Sequence, residues 1–224
     1  MRRRLLIVPA RGGSQRIARK NIKNFLGKPA ILRVLSQAKL AGVFDKIHVS
    51  TEDTEIFEIV SQAGYKPDFP RSFELAGHDI PVADVVEFVV EEYQRRDNFF
   101  DTIVLAFPTA FMTTAKIFVD AIETFEDLPA ASQLISVSRF AVPIEWAYDM
   151  ASDGELKARQ PEKLTHRSQD LRKTFHETGQ FVIYDTLSVF RSNGTNRKFG
   201  FDAGGLSIDI DDEDDWNLAE QILS

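Results

Sequence analysis

Leu5-Leu6-Ile7-Val8-Pro9-Ala10 runs directly into Arg11-Gly12-Gly13-Ser14-Gln15-Arg16-Ile17-Ala18-Arg19-Lys20-Asn21, and this junction decides how the chain is read. A short apolar run of this kind is a buried strand, and the residues after it form a basic loop. Gly12 and Gly13 allow backbone geometry closed to other residues, so main-chain N–H groups, Ala10 to Gly13 included, can turn inward around an anion. Arg11, Arg16, Arg19 and Lys20 supply positive charge and Ser14 a neutral hydroxyl, a set better suited to a polyphosphate than to one carboxylate. The competing reading is a solvated basic loop after a strand. The loop has neither the G-x-x-x-x-G-K-[ST] order of a Walker loop nor the G-x-G-x-x-G of a dinucleotide fold.

The rest of the chain alternates strand and helix, which predicts an α/β fold with a mostly parallel sheet covered on both faces. Lys28 to Ala41 has helical spacing and stops at Gly42, Lys46–Ser50 is a strand, and Ile56 to Ala63 is a helix ending at Gly64. Val85 to Tyr93 is a further helix, Thr102–Ala106 a buried strand stopped by Pro108, and Thr114 to Phe125 a helix. Leu134–Ser138 and Gln180–Tyr184 have strand character, and a helix containing Trp216, Leu218 and Ile222 closes the chain. Asp149 to Lys173 is polar, weakly periodic and too long for an ordinary connection, which marks a functional excursion or an oligomer contact.

Composition narrows the function. The 224 residues carry a formal charge of −7 and 43% hydrophobic residues, enough for one core, so a single domain over residues 1–224 is expected. The acidic balance argues against a nucleic-acid partner, since counterion release would have the wrong sign over most of the surface. The chain has no cysteine, so disulfides and thiolate chemistry are excluded and a reducing compartment is compatible. The apolar run after Arg2-Arg3-Arg4 is too short for a signal peptide, and no segment reaches bilayer-spanning length, so a soluble, cytoplasmic protein with no membrane partner is expected.

A second chemical signal lies in Leu206-Ser207-Ile208-Asp209-Ile210-Asp211. Strand alternation there would put Asp209 and Asp211 on one face and Ile208 and Ile210 on the other. Two carboxylates beside a phosphate loop suit Mg2+, with Mn2+ as a substitute, because hard octahedral magnesium takes one or two carboxylates plus water and phosphate oxygens. Helix N-terminal decoration explains Asp212 to Asp215 but not Asp209. The four dispersed histidines make a zinc site improbable.

Together the loop and the acidic strand resemble the acylneuraminate cytidylyltransferase family. Ile47-His48-Val49-Ser50-Thr51-Glu52-Asp53, Phe69-Pro70-Arg71-Ser72-Phe73-Glu74-Leu75 and Phe107-Pro108-Thr109-Ala110 resemble its other blocks, in order. Pro143-Ile144, Arg167-Ser168-Gln169-Asp170-Leu171 and Phe175-His176-Glu177-Thr178-Gly179-Gln180-Phe181 are similar to the pseudaminic acid branch. The resemblance implies a three-layer α/β/α Rossmann-like nucleotidyltransferase fold, with about 140–185 serving as an acceptor-site and dimerisation excursion. It implies transfer of CMP from CTP to the anomeric hydroxyl of a nine-carbon sugar acid, with pyrophosphate released, by a homodimer. Arg11, Lys20, Asp209 and Asp211 would be catalytic. Ala10, Arg11, Gly12, Gly13, Ser14, Lys20, Asn21 and Arg71 would bind the nucleotide, and Asp209 and Asp211 the metal. Arg167, Gln169, His176 and Gln180 would meet the sugar acid.

The chain departs from the family pattern at four places. Gln15 stands where lysine is common, Ala18 where proline is, and Phe111 replaces a customary proline. Gly77-His78-Asp79-Ile80-Pro81-Val82-Ala83-Asp84 occupies a stretch where relatives show acidic and hydroxyl residues near the ribose. A homologue that binds nucleotide without turnover, and transfer to Kdo or a sugar phosphate, stay open on these residues.

Overall fold

The computed structural model describes residues 2–190, 197–204 and 208–224. In chain order the elements are β1 (Arg4–Pro9), β2 (Asn24–Phe25), β3 (Lys28–Pro29), α1 (Ala30–Ala41), β4 (Lys46–Ser50), α2 (Thr54–Gln62), α3 (Val82–Gln94), β5 (Thr102–Ala106) and α4 (Ala115–Glu126). They continue as β6 (Ser132–Arg139), β7 (Tyr148–Met150), β8 (Leu156–Ala158), β9 (Phe175–Asp185), α5 (Thr186–Val189), β10 (Arg197–Asp202) and α6 (Glu213–Leu223).

Six strands form one sheet in the order β10-β6-β9-β5-β1-β4. β1 pairs in parallel with β4 and β5, and β10 with β6, while β9 runs antiparallel between β5 and β6. The sheet is therefore mostly parallel, as the alternating pattern implied. Both faces of β1 are buried, which is why it reads as an unbroken apolar run rather than an alternation. Leu6 and Val8 pack with Ile31 and Leu35 of α1, Val60 of α2 and Phe118 of α4 on one face; Leu5 and Ile7 pack with Val86, Val89 and Val90 of α3 on the other. Each such side chain contributes about 1.5–3 kcal/mol of burial, so these layers hold the C-terminal end of β1 rigidly. The chain leaves β1 for β4 through α1 and reaches β5 through α3, on opposite faces. This reversal opens a crevice beyond the strand ends, where ligands of open α/β sheets bind.

Several boundaries differ from the sequence reading. Lys28 and Pro29 pair with Asn24 and Phe25 instead of starting α1, because Pro29 has an extended ψ of 131° and the helix begins after it. Within Asp149 to Lys173, Asp149 and Met150 belong to β7, which pairs with β8 to make a small hairpin. The strand read as Gln180–Tyr184 runs from Phe175 to Asp185, and β10 is a strand that the sequence pattern does not announce. Leu206 and Ser207 lie outside the described residues, and Ile208 to Asp211 join no sheet among the described residues. The alternation nevertheless survives: Ile208 and Ile210 are buried while Asp209 is exposed. A third cluster, Ile17, Phe25, Phe111, Ile208, Ile210 and Trp216, holds this segment against the basic loop.

His48 is a core histidine. Tyr93 donates its hydroxyl proton to Asp68 at 2.7 Å, so at the 3.2 Å contact His48 Nδ1 donates to the Tyr93 oxygen, and Nε2 has no hydrogen-bond partner among the described residues. Burial pushes the imidazole down to about 3. The unfolded chain binds this proton near pH 6.5 and the folded chain does not, so stability is full above that value and falls as pH drops toward 3. Between pH 7 and 5 the loss is about 2 kcal/mol. Urea titrations at the two pH values should show the parent chain losing about that much more than His48→Gln; equal losses would refute the neutral assignment.

Candidate active site

A cavity of about 550 Å3 opens at the ends of β1 and β5. The loop and its partner segment line it with Arg11, Ser14, Gln15, Arg16, Lys20, Asn21 and Asp211; the far wall carries Arg71, Leu75, Gly77, His78, Ile80, Val82 and Val85. Arg11, Ser14, Lys20, Asn21, Arg71 and Asp211, chosen from sequence, thus converge on one space.

The loop is pinned from several directions. Asn21 donates to the Arg11 carbonyl at 2.9 Å, and the Arg11 guanidinium reaches across to the Gly77 carbonyl at 3.3 Å. Lys20 Nζ donates to the Ile210 carbonyl at 2.8 Å, and Arg16 pairs with Asp211 at 2.7 Å, joining positions 190 or more residues apart in sequence. Burial lowers the Lys20 pKa, opposed by Asp211 and Asp209. Asp209 is held above the usual carboxylate range, first by its crowded setting and then by Asp211.

Three loop residues differ from the simple cradle. Neither Gly12 nor Gly13 has a positive φ; the left-handed residue is Arg19, at 53°. Gly12 is required for space, because a Cβ there would lie 2.3 Å from Asp53 Oδ2. Its N–H donates to Glu52 Oε1 at 2.7 Å, so that amide is already satisfied by a carboxylate. Arg19 grips both Asp53 oxygens, at 2.6 and 2.9 Å, and also bonds Glu55, which turns it away from the cavity. Asp53 meanwhile caps α2 by accepting from Ile56 N at 3.0 Å. Gly12→Ala is expected to push Asp53 off this cap and destabilise the chain by about 1–2 kcal/mol. Gly13→Ala, whose Cβ would meet nothing within 4 Å, is expected to change stability by less than about 0.5 kcal/mol. Thermal melts of the pair check this, and equal effects would reject it.

Arg71 is buried on the cavity floor, with Nε donating to Ser50 Oγ at 3.1 Å and Nη2 to the Ser50 carbonyl at 2.6 Å. Its remaining nitrogen lies 3.9 Å from Glu52 Oε2, a buried oxygen without a hydrogen-bond partner among the described residues. Glu52 is not marked as a site residue by its sequence, and Arg16 is marked only as one of the loop's four positive charges. Glu52 sits in the block Ile47 to Asp53, but only its contact with Gly12 shows what it does.

The remaining candidates divide. Asp209 packs against Gly179, whose φ of 64° lies within β9 and where a Cβ would approach Asp209 Oδ1 to 2.9 Å. The donor set fits Mg2+: Asp209 against Gly179, with Asp211 near enough to act on its charge, supplies the one or two carboxylates that magnesium takes beside water and phosphate oxygens. Asp212 accepts from Asp214 N and Asp215 N as a capping box, so Asp212 and Asp215 serve the helix. Gln180 is buried, and its amide donates to the Ile208 carbonyl at 3.3 Å and accepts from Thr113 at 3.3 Å. It supports the Asp209 segment from behind and does not line the cavity. Arg167 and Gln169 are exposed at a short turn over Ser168–Asp170, and His176 is exposed on β9 with its ring 5.0 Å from that of Phe140. These three lie outside the nucleotide-sized cavity.

This geometry agrees with what the chain resembles. A family model described as cytidylyltransferase matches residues 5–91, covering the loop and the whole far wall, Arg71 included. Pseudaminic acid cytidylyltransferase of Campylobacter jejuni is 33% identical over 179 residues, covering 80% of this chain and 77% of the relative. The chain belongs to the acylneuraminate cytidylyltransferase family, in its pseudaminic acid branch. CMP-N,N'-diacetyllegionaminic acid synthase of Legionella pneumophila is 26% identical over 229 residues, with 98% and 95% coverage. The solved CMP:2-keto-3-deoxy-manno-octonic acid synthetase complexed with CTP superposes with a TM-score of 0.70 at 17% identity, over 99% of this chain and 98% of that one, which shows the shared fold. In this family member, then, the basic loop and Asp211 stand where the fold's crevice forms, and the cytidylyltransferase match spans the loop.

Proposed function

We propose that this cytidylyltransferase transfers CMP from CTP to the anomeric hydroxyl of a nonulosonic acid, pseudaminic acid first, and releases pyrophosphate. The observation that carries the reading is the bridge of Lys20 to the Ile210 carbonyl and Arg16 to Asp211 at the cavity rim. It sets a cationic loop against Asp211, with Asp209 two residues before it, beside a space large enough for a nucleotide.

The anomeric hydroxyl oxygen of the sugar acid attacks the α-phosphorus and loses its proton to solvent; a new P–O bond forms, and the bond from the α-phosphorus to the oxygen bridging to the β-phosphate breaks, releasing pyrophosphate. Such transfers need alignment and charge neutralisation more than covalent help. Arg11 and Lys20 supply fixed positive charge to the phosphates, and Asn21 holds the Arg11 backbone in register. Magnesium held by Asp209 and Asp211 would add Lewis-acid neutralisation of the phosphate oxygens. Arg167 is the candidate for the acceptor carboxylate because a guanidinium binds one bidentately, with Gln169 and His176 beside it on the excursion. The need for CTP favours the cytoplasm, and no described helix is long and apolar enough to cross a membrane.

A second copy of the chain completes the acceptor end in this reading. Val142, Tyr148, Met150, Leu156 and Phe175 are exposed apolar residues of one excursion, a density that marks an association surface. Light scattering should give a dimer at micromolar concentration, and a monomer alone would remove this part.

Pyrophosphate release from CTP should be followed with pseudaminic, legionaminic, N-acetylneuraminic and Kdo acids, each with magnesium and with EDTA. Turnover on pseudaminic acid that EDTA abolishes is expected. Turnover on none of the acids would overturn the reading, and turnover in EDTA would overturn the metal.

A further inference from the structure

The cavity is chemically divided, and the division bears on which part of the nucleotide the protein can read. Positive and hydroxyl groups belong to the loop side, where Arg11, Ser14, Arg16 and Lys20 lie. The opposite wall is dominated by Leu75, Ile80, Val82 and Val85, with Phe107 at its edge and Arg71, Gly77 and His78 as its polar members. In this cavity, phosphates on the loop leave that wall as the surface open to the sugar and base.

The polar groups on this side are few and mostly engaged. Two donor groups of Arg71 are committed to Ser50, and the third faces Glu52. The His78 ring pairs with Asp79 at 3.1 Å, and both side chains are largely exposed. The Gly77 carbonyl already accepts from Arg11. Among the described residues, Thr109 carries the one side-chain hydroxyl of the cavity lining outside the loop.

Discrimination by hydroxyl count has a known physical source. A site built to hydrogen-bond a substrate hydroxyl rejects the analogue lacking it by about 10⁴–10⁵-fold, because its own buried polar groups are left unpaired. An apolar wall has no such groups to orphan and cannot tell the two apart strongly.

We propose that this enzyme does not read the ribose 2′-hydroxyl, and that 2′-deoxyribonucleoside triphosphate serves it about as well as the ribonucleotide. Ile80, Val82 and Val85 are the specificity-determining residues, through the contacts they leave out. The inference rests on the reading of the cavity as a CTP site.

The test is equilibrium titration of the full chain with CTP and with dCTP in magnesium, followed by pyrophosphate release with the best acceptor acid. Dissociation constants and kcat/KM values within ten-fold of each other are expected. A ten-fold or larger preference for CTP in both measurements overturns the inference while leaving the proposed function standing, and its disappearance in Thr109→Val would assign the reading group to that hydroxyl. Binding of neither nucleotide overturns the proposed function and the inference with it.

Discussion

Lys20→Met lowers kcat/KM for pyrophosphate release by about 10²–10³-fold, the usual effect of removing one preorganised charge that stabilises a transition state. Lys20 Nζ is held by the Ile210 carbonyl at 2.8 Å, in a partly buried position facing Asp209 and Asp211. Its charge therefore acts in a low dielectric, at the point where loop and carboxylate segment meet. Methionine keeps most of the apolar stem, so packing around Ile17 and Ile210 changes little and the melting temperature should stay within a few degrees. Arginine is a poor replacement, because its planar fork does not fit a site shaped for a compact ammonium. A loss below ten-fold in Lys20→Met, with CTP and the best acceptor acid both saturating or both limiting, would remove Lys20 from the chemistry.

Trp216→Ala is expected to cost about 3–5 kcal/mol, the range for deleting a large buried aromatic side chain. Trp216 is 2% exposed and meets the rings of Phe25 and Phe111 edge-on at 5.3 and 5.6 Å, while Phe25 and Phe111 stack at 3.8 Å. Lys23 lies over its ring at 4.5 Å. This cluster ties α6 to the loop and to Ile208 and Ile210, so its loss releases the carboxylate segment as well as lowering stability. Urea titration should show a lower midpoint with an unchanged slope, and CTP affinity should fall together with it. Trp216→Phe should recover much of both. Loss of stability with full CTP affinity would separate the cluster from the site.

Phe111 illustrates how a departure from a family pattern acquires meaning only in three dimensions. At the position where the family resemblance implies proline, this chain places a ring that is 7% exposed and stacked on Phe25. The Phe111 ring packs behind the loop against Phe25 and Trp216. Ala18 and Gln15 have no comparable explanation in the structure.

Much of the sheet was legible because its signals are local. β1 and β5 are short apolar runs bounded by charge or proline, β4 alternates Ile47 and Val49 with polar residues, and the helices between them carry their burial stripe in their spacing. β10 escaped because Arg197 to Asp202 is largely exposed, leaving little periodicity to detect. The antiparallel course of β9 escaped for a different reason: strand direction depends on pairing with β5 and β6, tens of residues away.

The site divides the same way. Residue chemistry alone determined that a basic loop follows the first strand, that Asp209 and Asp211 share one side, and that Asp212 to Asp215 serve a helix start. Only the tertiary structure decided which charges face the cavity. Arg16 and Arg19 look equivalent in sequence, yet one meets Asp211 at the rim and the other is locked to Asp53 and Glu55. Gly12 is needed for the closeness of Asp53, and Gln180 holds the carboxylate segment from behind. Sequence reports what a side chain can do within a few residues, through period and composition. Its partner is set by long-range packing, which brings position 20 to position 210, and no local pattern encodes that encounter.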